Sequence, residues 1–326
     1  MTLPVIRVLI TGSAGRIAYS LIPLIGLGHA FGPEQKLDLV LFDIPEKIDV
    51  LRGIMMEIDD CSYSLINSVS FTANPEEAFL DIDFAIFLGS YPRKEWMQRK
   101  DLLEKNKIIF KQQAMYLQEY SKKNVKVVVV GNPANTNALV LAENSTSIPK
   151  ENITCLMRLD QNRATSIISK KLSIPKTDIF DIIIWGNHSN FQNLSLEHTY
   201  LKNKGIFQPD DSVKEWINTT MIPFVRNRGT EVIKYLGSSS SLSAAQAVCD
   251  HIRDWFLGTQ DDHFVTMGVY SNGCYDIPKG LIFGLPVRCY GNFKYEIVED
   301  LKISDNTKEN IKRSIIELEG EKNMAL

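Results

Sequence analysis

The chain is predicted to be an α/β protein, with a parallel sheet covered by helices in its first half and an α+β arrangement in its second. Three observations predict this. Apolar, β-branched runs such as "VKVVVVGNP" are nearly continuous, as in strands buried on both faces. These runs alternate with segments whose apolar residues recur at helical spacing, which implies crossover helices between parallel strands. Beyond about residue 150 the order changes to helices followed by consecutive strand-like runs with Gly, Pro and Asn turns.

The elements follow in order. "VIRVLITG" is a strand ending in glycine, and "RIAYSLIPLIGLG" a helix closed by Gly26 and Gly28. "KLDLVLFD" is the second strand and "EKIDVLRGIMMEIDDC" the helix after it. "DIDFAIFLGS" reads as the third strand and "VKVVVVGNP" as the fourth, separated by the helical "KDLLEKNKIIFKQQAMYLQEYSKK". Right-handed crossovers should join them. A first domain is expected over 1–154 and a second over 155–326. In the second, "ATSIISKKL", "VKEWINTTMIPFVRNRGTEVIKYLG" and "SLSAAQAVCDHIRDWFLG" are helical. "HFVTMGVYS", "GLIFGLPVRC" and "FKYEIVED" are strands, and a polar helix closes the chain.

Composition narrows the function classes. With 326 residues, 44% hydrophobic and 23% charged, this is ordinary globular material, and a net charge of −3 gives no reason to expect nucleic acid or an acidic membrane as partner. No apolar run approaches the roughly 18 to 20 residues that span a bilayer. "MTLPVIRVLITG" enters a strand pattern at once, leaving no room for a targeting peptide. Cys61, Cys155, Cys249, Cys274 and Cys289 are scattered and form no Cys-x-x-Cys pair. They read as reduced thiols of a cytosolic protein, with neither a disulfide framework nor a metal site.

Four segments carry chemistry. In "TGSAGRIAYSL", Gly12, Gly15 and Ala18 are three residues apart between a strand and a helix. Such a turn lets the backbone approach a pyrophosphate and aims a helix N-terminus at it, although a tight turn with no ligand reads the same. Asp43, ending the second strand, stands where an acidic residue typically holds adenosine ribose hydroxyls and repels the extra phosphate of NADP, although a helix N-cap reads the same. Together these make a Rossmann-type, NAD-binding first half. In "VVVVGNPANTNAL", Val130, Gly131 and Asn132 emerge at the carboxyl edge of the sheet, where open α/β proteins bind ligands. In "RLDQNRA", Asp160 and Arg163 share a helical face, and His188 ends the strand-like run "DIIIWGNHS". A histidine oriented by a carboxylate beside an arginine can exchange a proton with a substrate hydroxyl. Arg93 and Arg99, in "SYPRKEWMQRK", add guanidinium forks suited to carboxylates, although a solvated basic loop reads the same.

On "TGSAGRIAYSL", "LFDIPE", "MEIDDC", "RKDLLEKN", "VGNPANTNA", "RLDQNRA", "IIWGNHS" and "AVCDHIRDWFLGT", in this order, the chain resembles the cytosolic-type malate dehydrogenases of the larger lactate/malate dehydrogenase family. The resemblance implies a cytoplasmic homodimer that reversibly oxidises malate to oxaloacetate with NAD. It implies that the turn (Gly12, Ser13, Ala14, Gly15, Arg16, Ile17 and Ala18) cradles the pyrophosphate, and that Asp43 binds the adenosine ribose. Asn106 and Gln113 fall where the family contacts NAD, and Val130 and Gly131 where backbone groups meet the nicotinamide half. Asn132 is placed to touch cofactor and substrate. Arg163 is implied to clamp the carboxylate beside the reacting carbon, Arg99 to polarise the carbonyl and Arg93 to hold the distal carboxylate. His188 becomes the proton acceptor, with Asp160 fixing its tautomer.

The chain departs from the family pattern at Arg16, where glutamine is usual, and at Trp96, where glycine is common in the substrate loop. The serines at 238–241 match a family stretch whose register does not single one out. Three other functions are weighed. A lactate or other 2-hydroxy-acid dehydrogenase would leave the Arg93 guanidinium unpaired. A silent dinucleotide-binding protein would not need Asp160, Arg163 and His188. A short-chain reductase needs Tyr-x-x-x-Lys, and "YSKK" at Tyr120 fails that spacing.

Overall fold

The computed structural model describes residues 3–91, 97, 99–189, 191–260 and 262–326. Arg93 and Trp96 lie outside the described residues, as does the side chain of Arg99.

Six parallel strands come first: β1 (Ile6–Thr11), β2 (Leu37–Phe42), β3 (Ile66–Thr72), β4 (Phe84–Phe87), β5 (Lys126–Val129) and β6 (Ile153–Cys155). Their spatial order is β3-β2-β1-β4-β5-β6. Five helices connect them: α1 (Arg16–Gly26), α2 (Ile48–Cys61), α3 (Pro75–Phe79), α4 (Arg99–Tyr120) and α5 (Ala134–Asn144). Strand order reverses between β1 and β4, where the chain leaves in opposite directions and opens a crevice at the carboxyl ends.

The central strands β4 and β5 are apolar apart from Lys126 because both faces are covered; every residue of the two is buried. Val8 and Ile10 of β1 join the core beneath α1, whereas Leu9 joins the core beneath α4 and α5, the alternation a strand imposes.

Two strands escape a reading based on apolar runs. β3 is an edge strand whose Asn67 and Ser68 are exposed, so the run is broken; "DIDFAIFLGS" is therefore the fourth strand and "VKVVVVGNP" the fifth. β6 has only three residues, too short for a periodicity.

After β6 come α6 (Arg158–Leu172), the short strands β7 (Ile179–Phe180), β8 (Ile183–Trp185), β9 (Asn193–Ser195), β10 (Tyr200–Leu201) and β11 (Gly205–Ile206), then α7 (Asp211–Trp216), α8 (Ile222–Leu236) and α9 (Leu242–Leu257). A π-helical turn at Ile217–Met221 joins α7 to α8, where Pro223 removes one donor from the ladder. The chain ends with β12 (Val265–Tyr270), β13 (Ile282–Gly291), β14 (Lys294–Ile297) and α10 (Asp305–Ala325). The last three strands do not build a sheet of their own. They extend the parallel sheet antiparallel beyond β6, which gives nine strands among the described residues. Helix α9 also packs on the first half of the sheet, with Trp255 edge-on to Phe84 of β4. The two halves therefore contribute jointly to both hydrophobic cores.

Candidate active site

The crevice is lined first by the turn after β1. Gly12 has φ +69, and a Cβ there would lie 2.7 Å from the backbone of Gly89 at the end of β4. Only glycine fits, for conformation and for space. The Gly15 N–H donates to Gly12 O (3.0 Å), and Ala18 is fully buried against the sheet. Gly15 caps α1 without a side-chain hydrogen bond. The amides of Arg16, Ile17 and Ala18, in the first turn of α1, have no intrahelical acceptor. A short backbone cradle with outward donors at a helix N-terminus suits a pyrophosphate.

Asp43 lies just past β2. Its Oδ2 accepts from Ala14 N–H and its Oδ1 from Ile44 N–H, both at 2.9 Å, so the carboxylate is fixed against the turn. Ser13 is buried and its hydroxyl donates inward to Ile10 O (2.6 Å), so it faces the crevice through its backbone alone. Arg16 reaches out instead, donating to the Ser238 hydroxyl in the loop between α8 and α9.

The turn after β5 closes the same crevice. The Val130 and Gly131 amides both donate to Phe87 O, at 2.9 and 3.1 Å, and Gly131 O accepts from Asn137 Nδ2 (2.8 Å). Asn132 stands exposed between buried Gly131 and Pro133. Asn106 is buried: its Oδ1 accepts from Tyr91 N–H (2.8 Å), and its Nδ2 donates to Leu102 O (2.9 Å) and Asn132 O (3.4 Å). That amide is committed to holding protein backbone. Gln113, two turns along α4, is also buried and its Oε1 has no partner among the described residues.

The titratable cluster is built by α6 and the residues after β8. Asp160 sits in the first turn of α6 and is 1% exposed. Its Oδ1 accepts from Arg163 Nη1 (2.9 Å), and its Oδ2 lies 2.6 Å from His188 Nδ1. Neither Oδ2 nor Nδ1 has another partner among the described residues, so the imidazole depends on this carboxylate. Burial opposes ionisation of Asp160, yet the charges and hydrogen bonds of His188 and Arg163 outweigh it and hold the carboxyl below its ordinary range. A carboxylate at this distance requires a proton on Nδ1, which leaves Nε2 of the neutral ring bare. Arg163 Nη2 reaches Ser240 Oγ at 3.5 Å. Of the unassigned serines, then, Ser240 stands against Arg163 and Ser238 against Arg16 of the glycine turn.

Gly186, with φ +94, turns the chain out of β8, and a Cβ there would collide with Ser314. Asn135, the second residue of α5 and fully buried, accepts from His188 N–H (2.9 Å) and donates to Gly186 O and Ile282 O. Sequence reasoning missed it, although an amide in an apolar helix start was the available signal. The buried histidine His251 is unlike half-buried His188. His251 faces Thr154 Oγ1 at 3.0 Å, and burial together with the Arg158 charge pushes it down to about 3. It stays neutral at any working pH. His263 pairs with Asp181 at 2.8 Å but stacks on Phe180 at 4.1 Å, and among the described residues no arginine shares its carboxylate through a hydrogen bond.

Residues 6–154 match the lactate/malate dehydrogenase, NAD binding domain, and residues 157–326 match the lactate/malate dehydrogenase, alpha/beta C-terminal domain. The chain belongs to the lactate/malate dehydrogenase family. It is 47% identical to a probable malate dehydrogenase 3 of Dictyostelium discoideum, over 100% of this chain and 98% of that one. It is 46% identical to the cytoplasmic malate dehydrogenase of Homo sapiens, over 98% and 97% of the two chains. Among solved structures, the malate dehydrogenase of Naegleria fowleri superposes with a TM-score of 0.95 at 37% identity, covering 100% and 99%. A Trichomonas vaginalis lactate dehydrogenase in complex with NADH and oxamate superposes with 0.92 at 32% identity, covering 98% of each chain. Both named activities of the lactate/malate dehydrogenase family thus occur on this backbone. The glycine turn, Asp43, Asn106, Gln113 and the β5 turn fall in the family's NAD binding domain, and Asp160, Arg163 and His188 in its C-terminal domain.

Proposed function

We propose that the chain is an NAD-dependent malate dehydrogenase, a cytoplasmic homodimer whose residues 1–154 bind the cofactor and 155–326 carry the proton-transfer residues. One observation carries the reading: a single buried carboxylate, Asp160, holds both an imidazole and a guanidinium at one spot.

NAD, when bound, supplies the acceptor for the hydride leaving the substrate carbon. The segment from Gly12 to Ala18 fits its pyrophosphate, because the Gly12 cradle is one a Cβ would fill. Asp43 would take the ribose, Val130, Gly131 and Asn132 the nicotinamide side, and Gln113 stands nearby on α4, with Asn106 buttressing Asn132. The residues then divide the work on malate. Arg163 binds the carboxylate beside the reacting carbon, its fork aimed by Asp160. The bare Nε2 of His188 takes the hydroxyl proton, and Asp160 stabilises the imidazolium that forms. In the reverse direction that proton returns to the carbonyl oxygen of oxaloacetate, which Arg99 polarises. Arg93 holds the distal carboxylate.

The dimer is supported by apolar side chains left exposed on both sides of the cleft at the α8–α9 loop: Tyr19 and Val50 on α1 and α2, and Leu236 and Leu242 at the end of α8 and the start of α9. Relatives named cytoplasmic support the compartment, and among the described residues no helix is long and apolar enough to cross a membrane.

The Trichomonas lactate dehydrogenase keeps a second reading in play, a dehydrogenase of lactate or another 2-hydroxy acid. Arg93 separates the two. Arg93→Gln is expected to lower kcat/KM for oxaloacetate by about 2–5 kcal/mol, the usual cost of stranding one member of a buried charge pair. Pyruvate turnover should fall far less. Equal losses on both substrates would assign Arg93 to loop structure and remove it from recognition.

A further inference from the structure

The residues on either side of His188 are tied to the C-terminal helix. Ser314, Glu317 and Glu321 lie three and four apart on α10 and so share one face. That face runs along residues 186–189 and Phe191. Ser314 abuts Gly186 and donates toward Phe191 O at 3.4 Å. Glu317 Oε2 accepts from Asn187 Nδ2 (2.9 Å) and from the Ser189 hydroxyl (2.7 Å). Glu321, 2% exposed, accepts Asn187 Nδ2 on Oε1 (3.1 Å) and the hydroxyl of Thr136 on Oε2. Thr136 follows Asn135, which accepts the His188 N–H.

A buried glutamate, Glu321, with half-buried Glu317 one turn before it, is more than packing requires. A buried carboxylate is costly and is retained where its acceptors are used. Here they are used on Asn187, Ser189 and Thr136, the neighbours of the imidazole and of the amide that fixes its backbone. Neither carboxylate touches the imidazole through a hydrogen bond given by the structure, so any action on it is indirect.

We propose that Glu317 and Glu321 are positioning residues for proton transfer: α10 clamps Asn187 and Ser189 so that His188 meets the substrate hydroxyl on target. The proposal rests on His188 being the proton acceptor for malate. Asp160 sets the ring from the Nδ1 side; the glutamates set where the backbone carrying the ring stands. A misplacement of about 1 Å can cost as much as roughly 100-fold in rate.

The test uses the full chain with malate and NAD, measuring kcat, NADH affinity by fluorescence, folded fraction by circular dichroism and the primary isotope effect with malate deuterated at C2. Glu321→Gln and Glu317→Gln should each lower kcat roughly 10- to 100-fold, with NADH affinity unchanged. The isotope effect on kcat should rise toward its intrinsic value, because the chemical step has slowed. A mere loss of folded molecules lowers kcat in proportion and leaves the isotope effect where it was, and that result would overturn the proposal. The milder Ser189→Ala, which deletes one donor to Glu317, should show the same signature at several-fold and covers the case in which a glutamate variant does not fold. In the Glu317→Gln, Asn187→Ala double variant the losses should be far from additive, since both act through one amide. Wild-type rates in all three glutamate and serine variants would also overturn it. A wild-type chain that leaves malate untouched would remove the reading beneath the proposal, and the proposal with it.

Discussion

His188→Asn is expected to lose turnover of malate and oxaloacetate by roughly 10²- to 10⁴-fold while binding NADH as the wild type does. The asparagine removes the only bare ring nitrogen at the cluster and touches nothing in the Gly12–Ala18 turn. Asp160→Asn should follow it, by a different route. An amide at 2.6 Å from Nδ1 no longer demands a proton there, so the wrong tautomer becomes available and the imidazolium loses its counterion. Arg163 also loses the charge of its 2.9 Å partner, so KM for the dicarboxylate should rise together with the fall in kcat. Rates from stopped-flow and steady-state assays on the two variants check this. A His188→Asn chain within a few-fold of wild type would reduce the histidine to a strand terminator.

Gly12→Val is expected to have the largest effect on the cofactor. A branched side chain at φ +69 is sterically costly, and its Cβ would sit 2.7 Å from Gly89 backbone atoms that no rotamer change can clear. The clash spreads β1 from β4 at the point where strand order reverses. Overpacking of this kind costs about 1–3 kcal/mol, so Tm should drop by several degrees. NADH affinity should fall further than stability does, because the backbone cradle and the first amides of α1 move together. Titration of the variant by fluorescence provides the measurement. Unchanged NADH affinity would mean that the turn is a plain β–α connection.

How much of this was legible depended on whether a signal was local. Strands buried on both faces announced themselves, since Phe84–Phe87 and the Val127–Val129 stretch of β5 need apolar side chains on each side. The edge strand β3 did not, because half its residues face water, and neither did three-residue β6. The Asp160–Arg163 pair was readable as one helical turn. Its contact with His188 was inferred from resemblance and chemistry, since nothing local joins residues 160 and 188. Asn135, Glu317 and Glu321 were not read at all: each acts on a partner more than 50 residues away, brought near by the fold. Asn106 shows the converse. It was expected at the cofactor, yet its amide is spent on Tyr91, Leu102 and Asn132, so its influence passes through the Asn132 backbone. The serine register likewise needed three dimensions, because four similar residues in a row differ only in what lies opposite them.

Initial rates with oxaloacetate and with pyruvate, each with NADH and with NADPH, test the central claim most directly. The account predicts efficient turnover of oxaloacetate with NADH alone. Pyruvate should be poor, because it leaves Arg93 without a counterion. NADPH should also be poor, because its 2′-phosphate meets the Asp43 carboxylate already held by the Ala14 and Ile44 amides. Comparable kcat/KM with NADPH would turn suspicion to Arg16, the one cation of the turn. Pyruvate turned over as well as oxaloacetate would contradict the assignment and make the chain a dehydrogenase of a simpler 2-hydroxy acid.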